Sequence, residues 1–291
     1  MKKLLFGLSA LLFTAGLLSW HWEKTQYTPV NKADVVECLN METQQAYQLE
    51  ASTTAFAALH PSPLVVKPEN LLGKMTEFEA ADGKIANAYF IPAKKKSKKW
   101  LIVIQEWWGL NDNIKMESDK YYAELGDINV IAVDMYDGKV AATPDSAMKL
   151  MRGADMARMT AIIQGAIKKA GPDASIYSVG WCFGGMWSLQ TAILAGPQAK
   201  GTIMYYGRPE TNMEKIKSIQ CDIIGFFGNK DQAPSPAMVD EFEKNMKEAG
   251  KHIAVNKYDA GHGFANPSNP GFNATATADA YAKAIAFLKS H

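Results

Sequence analysis

A cysteine between glycines is the feature of this sequence best suited to nucleophilic chemistry. Cys182 lies in the run Gly180-Trp181-Cys182-Phe183-Gly184-Gly185, between a predicted strand at 174–179 and a predicted helix at 184–194. This is the cysteine form of the G-x-S-x-G turn that carries a nucleophile from strand to helix. Glycines prevent collisions in so tight a turn, and the N-terminus of the following helix favours a thiolate. We predict a nucleophilic Cys182; the alternative is a buried cysteine at a glycine-rich strand end.

His262 is the candidate general base for this thiol. It lies in the glycine-flanked loop 258–264, after the last predicted strand, and an imidazole with a pKa near neutrality suits the role. The other histidines lie beside the apolar N-terminal run, in the segment that follows it, at the start of a predicted strand and at the last position: His21, His60, His252 and His291. A surface or structural histidine is the alternative for His262.

Two carboxylates complete the set of candidate catalytic residues. Asp231 lies just past the end of a predicted strand and is the candidate for orienting His262, with Asp259 as its competitor. The chain order Cys182, Asp231, His262 is that of α/β-hydrolases. Glu106 directly follows an apolar strand, where burial would raise its pKa, so it could hold or accept the thiol proton. A surface glutamate at the start of a loop is the alternative.

The elements that must position these residues alternate between strands and helices. Two segments around residues 81–83 predict a hairpin, 75–80 and 84–91. Continuous apolar runs predict strands covered on both faces, at 100–105, 129–135, 174–179, 201–205, 222–227 and 252–258. Helical patterns lie between them, at 114–124, 144–170, 184–194, 235–249 and 276–289. This alternation predicts an α/β fold with a mostly parallel central sheet and helices on both faces, with functional sites at the carboxyl ends of strands.

The N-terminal 22 residues are predicted to direct export. Two lysines precede an uncharged run over residues 4–20, which is typical of a signal peptide. No clear cleavage site follows, and the run approaches the length of a spanning helix, so an uncleaved membrane anchor through residues 4–20 is the alternative. Both predict a periplasmic location, or a membrane-anchored one facing outside the cytoplasm. A buried first helix of a cytosolic fold is the third interpretation.

Residues 23–72 are predicted to form an N-terminal extension that packs on or near the main domain at 73–291. Prolines punctuate the extension, and a helical stretch is predicted over 41–58. Three cysteines are present, and in an exported protein Cys38 and Cys221 could form a disulfide or remain as two structural thiols.

These motifs, from about residue 75 to the end of the chain, resemble the dienelactone hydrolase (carboxymethylenebutenolidase) family. The resemblance rests on four motifs in order: the elbow at 180–185, Gln105-Glu106, Lys230-Asp231 and Ala260-Gly261-His262 followed by Phe264-Ala265. It implies an α/β-hydrolase fold and hydrolysis of an ester or lactone through a thioester on Cys182. Glu106 would pair with the resting thiol, and the backbone N–H groups of Phe183 and Trp107 would form the oxyanion hole.

The substrate residues depart from the family's pattern. The resemblance implies two arginines that bind a substrate carboxylate, but Asn266 occupies one of these positions and no arginine lies near Pro144, where the other would be. A carboxylate-bearing dienelactone is therefore not the expected substrate. Arg208 is the candidate substitute, with a solvated loop arginine as the alternative. The predicted substrate-contacting residues are Trp108, Tyr206, Arg208 and Phe264.

Composition restricts the partners. A formal net charge of +1 argues against nucleic acid as a partner, so a small-molecule ester or lactone is expected. No cofactor is expected, and no metal, because no His/carboxylate cluster has ligand spacing. Two further functions remain open: an amidotransferase-like or redox-active thiol protein, and an exported binding protein of this fold without activity.

Overall fold

An eight-stranded sheet forms the centre of the computed structural model, which describes residues 42–65 and 67–291. Along the chain the strands are β1 Lys74–Glu79, β2 Ile85–Ile91, β3 Lys99–Ile104, β4 Asn129–Val133, β5 Ser175–Trp181, β6 Ala199–Tyr205, β7 Asp222–Gly228 and β8 Ile253–Tyr258. Their order in the sheet is β1-β2-β4-β3-β5-β6-β7-β8. The β1–β2 hairpin is antiparallel, β2 pairs antiparallel with β4, and the other pairs are parallel. The predicted α/β fold with a mostly parallel sheet is confirmed.

Nine α-helices connect or flank these strands in the described residues. They are α1 Thr43–Ala51, α2 Thr54–Ala58, α3 Asp112–Leu125, α4 Pro144–Arg152, α5 Met156–Ala170, α6 Phe183–Ala195, α7 Met213–Ser218, α8 Pro236–Glu248 and α9 Ala274–Ser290. Successive residues of a strand point to opposite faces of the sheet, and four consecutive residues at the end of β3 are all buried. Both faces of this central strand are therefore covered, as its continuous apolar sequence predicts.

Two predicted helices are each divided in the structure. The helix predicted over 144–170 was wrong as a single element. The first helix, α4, ends at Arg152, and α5 begins anew after Asp155, whose side chain accepts from two backbone N–H groups. The helix predicted over 41–58 is likewise α1 and α2, since Thr53 caps a new helix through Phe56 N–H. Helical periodicity continued across both breaks, and local capping side chains decided the boundaries.

The first part of the described chain, residues 42–65, is called the N-terminal segment below. It belongs to the same compact unit as the α/β domain, and Tyr47 and Phe56 are buried in the main core. Gln48 donates to two carbonyls at the end of α4, and Leu64 N–H donates to Ser268 O at 2.7 Å. The N-terminal segment is thus packed against the α/β domain.

The predicted signal sequence or membrane anchor at 1–22 and Cys38 lie outside the described residues. Among the helices that are described, none is long and apolar enough to cross a membrane.

The turn between β5 and α6 fixes the backbone at Cys182. Cys182 has φ 56° and ψ −118°, a backbone conformation that residues other than glycine rarely adopt. A Cβ on Gly180 would lie 2.0 Å from Gly184 O, and one on Gly184 would lie 2.3 Å from Ile104 O. The two glycines are therefore required by backbone contacts, and the turn places the Cys182 side chain at the N-terminus of α6.

Candidate active site

Buried Asp231 and largely buried His262 form a pair beyond the carboxyl ends of β7 and β8. Asp231 Oδ2 lies 2.8 Å from His262 Nδ1, and its other oxygen accepts from Ala233 N–H at 2.9 Å. A carboxylate can only accept here, so the Nδ1 proton stays on the imidazole and Nε2 faces away from Asp231. The competitor Asp259 instead pairs with Lys230 at 2.9 Å on the exposed surface. Asp231, and not Asp259, is therefore the carboxylate hydrogen-bonded to His262.

The sulfur of Cys182 lies beside the free side of this imidazole. A ring nitrogen of His262 lies within 4.8 Å of Cys182 Sγ, and Cys182 is only 2% exposed. Burial alone would lower the pKa of His262, but the charges of Cys182 and Asp231 outweigh it and hold the pKa well above its ordinary value. This environment favours the protonated, imidazolium form of His262.

Glu106 is a buried carboxylate with two hydrogen-bond donors. Tyr206 Oη donates to one oxygen at 3.3 Å, and Asn266 Nδ2 donates to the other. Burial raises the pKa of Glu106 to about 7, although the charge of His262 and both hydrogen bonds oppose this shift. Within residues 42–65 and 67–291, no hydrogen bond joins Glu106 to Cys182. The pairing of Glu106 with the resting thiol stays a prediction.

The backbone N–H groups of Phe183 and Trp107 are those predicted to form the oxyanion hole, and this role stays a prediction. Phe183 is the first residue of α6, so its N–H has no partner within the helix. Trp107 follows β3, and its N–H donates to no backbone carbonyl in the described part of the chain. Both groups remain free to donate to a developing negative charge.

The four predicted substrate-contacting residues have different surroundings. Trp108 is buried against Trp107, with ring centroids 4.9 Å apart. Tyr206 lies 5.0 Å from the His262 ring, and Phe264 is packed between Tyr206 and another tyrosine of the core. Arg208 is half-buried and forms an ion pair with Glu50 of the N-terminal segment, so it is not a solvated loop residue.

The N-terminal segment brings two side chains to Cys182 that sequence reasoning missed. Tyr47 Oη lies 3.3 Å from Cys182 Sγ, and His60 Nε2 lies 3.9 Å from the same sulfur. His60 stacks on Phe56 at 3.9 Å between ring centroids, and its ring lies 4.6 Å from that of His262. Burial, with the charge of His262, lowers the pKa of His60 to about 3, so this imidazole is neutral.

Comparisons with known proteins agree with the family that the motifs resemble. A model of the dienelactone hydrolase family matches residues 86–291. Protein usf of Aquifex pyrophilus is 28% identical over 76% of this chain and 99% of its own length. Carboxymethylenebutenolidase 1 of Cupriavidus pinatubonensis is 24% identical over 75% of this chain and 97% of its own length.

A solved structure has the same fold. The dienelactone hydrolase-like promiscuous phosphotriesterase from metagenomic libraries superposes with a TM-score of 0.63 at 22% identity, covering 75% of this chain and 98% of that one. The residues that the family model matches begin after the N-terminal segment, so Tyr47 and His60 lie outside them.

Replacing Glu106 with glutamine is expected to change how stability depends on pH. The pKa of Glu106 is about 7 in the folded protein and 4.5 in the unfolded chain. Between these two pH values only the unfolded chain loses the proton, so the free energy of unfolding falls as the pH rises. Glu106→Gln should remove a fall on the order of 3 kcal/mol between these limits. Urea unfolding of both proteins at about pH 5 and 8 measures this. Glu243→Gln, at an exposed glutamate, is the control and should keep the wild-type fall. If stability falls as much in Glu106→Gln as in the wild type, the raised pKa does not belong to Glu106.

Removing the phenol above Cys182 is expected to expose its sulfur. Tyr47→Ala should raise the rate of Cys182 alkylation by iodoacetamide several-fold, because Tyr47 covers the thiol. Peptide mass mapping separates Cys182 from the other cysteines. The control is Leu49→Ala on the same helix, where the side chain is 62% exposed. Equal alkylation rates in the two variants would show that Tyr47 does not limit access.

Proposed function

The chain belongs to the dienelactone hydrolase family and is a hydrolase of esters or lactones, and we propose that Cys182 is its nucleophile with His262 and Asp231 as partners. One observation carries this proposal. A buried thiol lies within 4.8 Å of an imidazole nitrogen, and a carboxylate lies 2.8 Å from the other nitrogen of the same ring. This is the arrangement of nucleophile, base and orienting acid.

In the acylation step the Cys182 thiolate attacks the carbonyl carbon of the substrate. The carbonyl π electrons move to oxygen, and the N–H groups of Phe183 and Trp107 donate to that oxyanion. When the C=O bond re-forms, the bond to the leaving oxygen breaks and the alkoxide takes a proton from the His262 imidazolium. The acyl group then remains on sulfur as a thioester.

In the deacylation step water attacks the thioester carbonyl. His262 Nε2 accepts a proton from this water, and Asp231 stabilises the resulting imidazolium through Nδ1–H. Collapse of the second tetrahedral intermediate breaks the C–S bond and releases the acid product. The Cys182 thiolate and the His262 imidazolium are then restored for the next cycle.

An uncharged ester is the substrate class that the surroundings of the site support. Asn266, at one position where the family resemblance implies an arginine, donates its amide to Glu106. Arg208, the candidate substitute, is paired with Glu50. Neither is free to bind a substrate carboxylate, and the buried, apolar Trp107 ring packs against His60 beside the thiol.

Substitution of the proposed nucleophile and base should abolish hydrolysis of p-nitrophenyl acetate. Cys182→Ala and His262→Ala are each expected to lower kcat/KM by about 10³-fold or more, since the members of such a set act as a unit. Cys182→Ser should also be much weaker, because a hydroxyl is harder to ionise. The measurement is initial rate by release of p-nitrophenolate, with circular dichroism to verify folding.

Cys221→Ser and His252→Ala are the matched controls, and they should retain wild-type rates because both residues lie away from the site at the other end of the strands. Undiminished turnover in Cys182→Ala would contradict the proposed nucleophile. Peroxide consumption, measured beside ester hydrolysis, tests the redox-active alternative; consumption without hydrolysis would favour it.

We also propose export from the cytoplasm, on the basis of the cationic and apolar residues 1–22 alone. Expression of the full chain in a bacterial host should place the protein in the periplasmic or membrane fraction, and deletion of residues 1–22 should return it to the cytoplasm. A cytoplasmic full-length chain would contradict the proposal.

A further inference from the structure

Three potential metal ligands from distant parts of the sequence meet at the thiol. His60 comes from the N-terminal segment, Cys182 from the turn before α6 and His262 from the loop after β8. Their ligand atoms all lie within 4.8 Å of one another, and His60 Nε2 lies 3.9 Å from Cys182 Sγ. Small side-chain movements would bring all three atoms to one ion.

Both imidazoles are oriented through the nitrogen that faces away from the sulfur. His60 Nδ1 lies 2.7 Å from the backbone oxygen of Phe56, and His262 Nδ1 lies 2.8 Å from an Asp231 oxygen. Since each oxygen is an acceptor, each Nδ1 carries a proton and each Nε2 is directed to the cluster. A second-shell acceptor on the outer nitrogen is the usual arrangement of metal-binding histidines.

The cluster contains more lone pairs than protons. Whether Cys182 Sγ or His262 Nε2 holds the proton of this pair, there is one proton for the sulfur and two imidazole nitrogens. His262 Nε2 is a buried atom that has no hydrogen-bond partner within the described residues. A cation between the three atoms would replace that proton and bond to the sulfur and both nitrogens, which a single proton cannot do.

We propose that His60 Nε2, Cys182 Sγ and His262 Nε2 bind a divalent transition-metal ion of the zinc class. One thiolate and two imidazoles suit Zn²⁺, whereas Mg²⁺ and Ca²⁺ require oxygen ligands. Binding forms one metal–sulfur and two metal–nitrogen bonds and releases one proton from the Cys182–His262 pair to solvent. The fourth position of a tetrahedral ion remains open to water.

The bound ion would act as a reversible inhibitor of hydrolysis. It would occupy the lone pairs of the nucleophile and the base together, so neither group could act on a substrate. This consequence rests on the proposed function, but metal binding itself does not. The N-terminal segment supplies the third ligand, so metal affinity should depend on a residue outside the part of the chain that the family model matches.

Cobalt is the probe for the experiment, because Co²⁺ bound to a thiolate has a charge-transfer absorption band and zinc has none. Titration of the full chain with Co²⁺ should produce a saturable band at one equivalent, and added Zn²⁺ should remove it. His60→Gln should weaken Co²⁺ binding by more than about 100-fold, since even second-shell partners contribute about 10- to 100-fold. His252→Gln, at an exposed histidine, is the matched control and should not change the affinity.

Two outcomes would overturn the proposal: no charge-transfer band in the full chain, or equal Co²⁺ affinity in His60→Gln and the full chain. Thermal melting verifies that His60→Gln is folded. If it is not, Cys182→Ser serves instead and must lose the band. Esterase rates with and without Zn²⁺ are measured separately. A band in a chain that hydrolyses no ester would refute the proposed function alone, and hydrolysis without a band would refute only the metal site.

Discussion

The backbone turn at Cys182 is the constraint on which the rest of the site depends. Its φ of 56° is tolerated because Gly180 and Gly184 let three backbone segments approach more closely than any Cβ allows. The turn places Cys182 at the N-cap position of α6. Every other functional group, on whichever strand end or loop, is positioned relative to the Cys182 sulfur.

Burial determines the electrostatics around the sulfur. Glu106 and His60 are buried ionisable groups near His262, and the charge of His262 lowers the pKa of both. His60 stays neutral beside a protonated His262, and Glu106 holds its proton up to near neutral pH. Because Asp231 is the carboxylate bonded to His262, the positive charge of the site is concentrated on the imidazole that faces the thiol.

The sequence is sufficient to find those functional residues whose neighbours along the chain form a recognisable pattern. Cys182 is flanked by glycines, and Asp231 and His262 follow strands, so local pattern and the geometry of parallel sheets suffice to bring them together. His60 and Tyr47 have no such pattern. They precede the first strand and reach Cys182 across more than a hundred residues of sequence, through packing that no local periodicity describes. The spacing of Phe56 and His60, one helical turn apart, was the available signal. For the same reason, ligand spacing along the chain could not disclose a cluster made of three separate segments.

Direct detection of an acyl group on sulfur tests the central claim. The protein is mixed with p-nitrophenyl acetate, quenched in acid while turnover proceeds, and digested for peptide mass spectrometry. We expect an acetyl group on the peptide that contains Cys182. Hydroxylamine should remove this group, because it cleaves thioesters. Deacylation is also slowed, so that the intermediate can accumulate. If hydrolysis continues but Cys182 is never acetylated under these conditions, the proposed nucleophile is wrong.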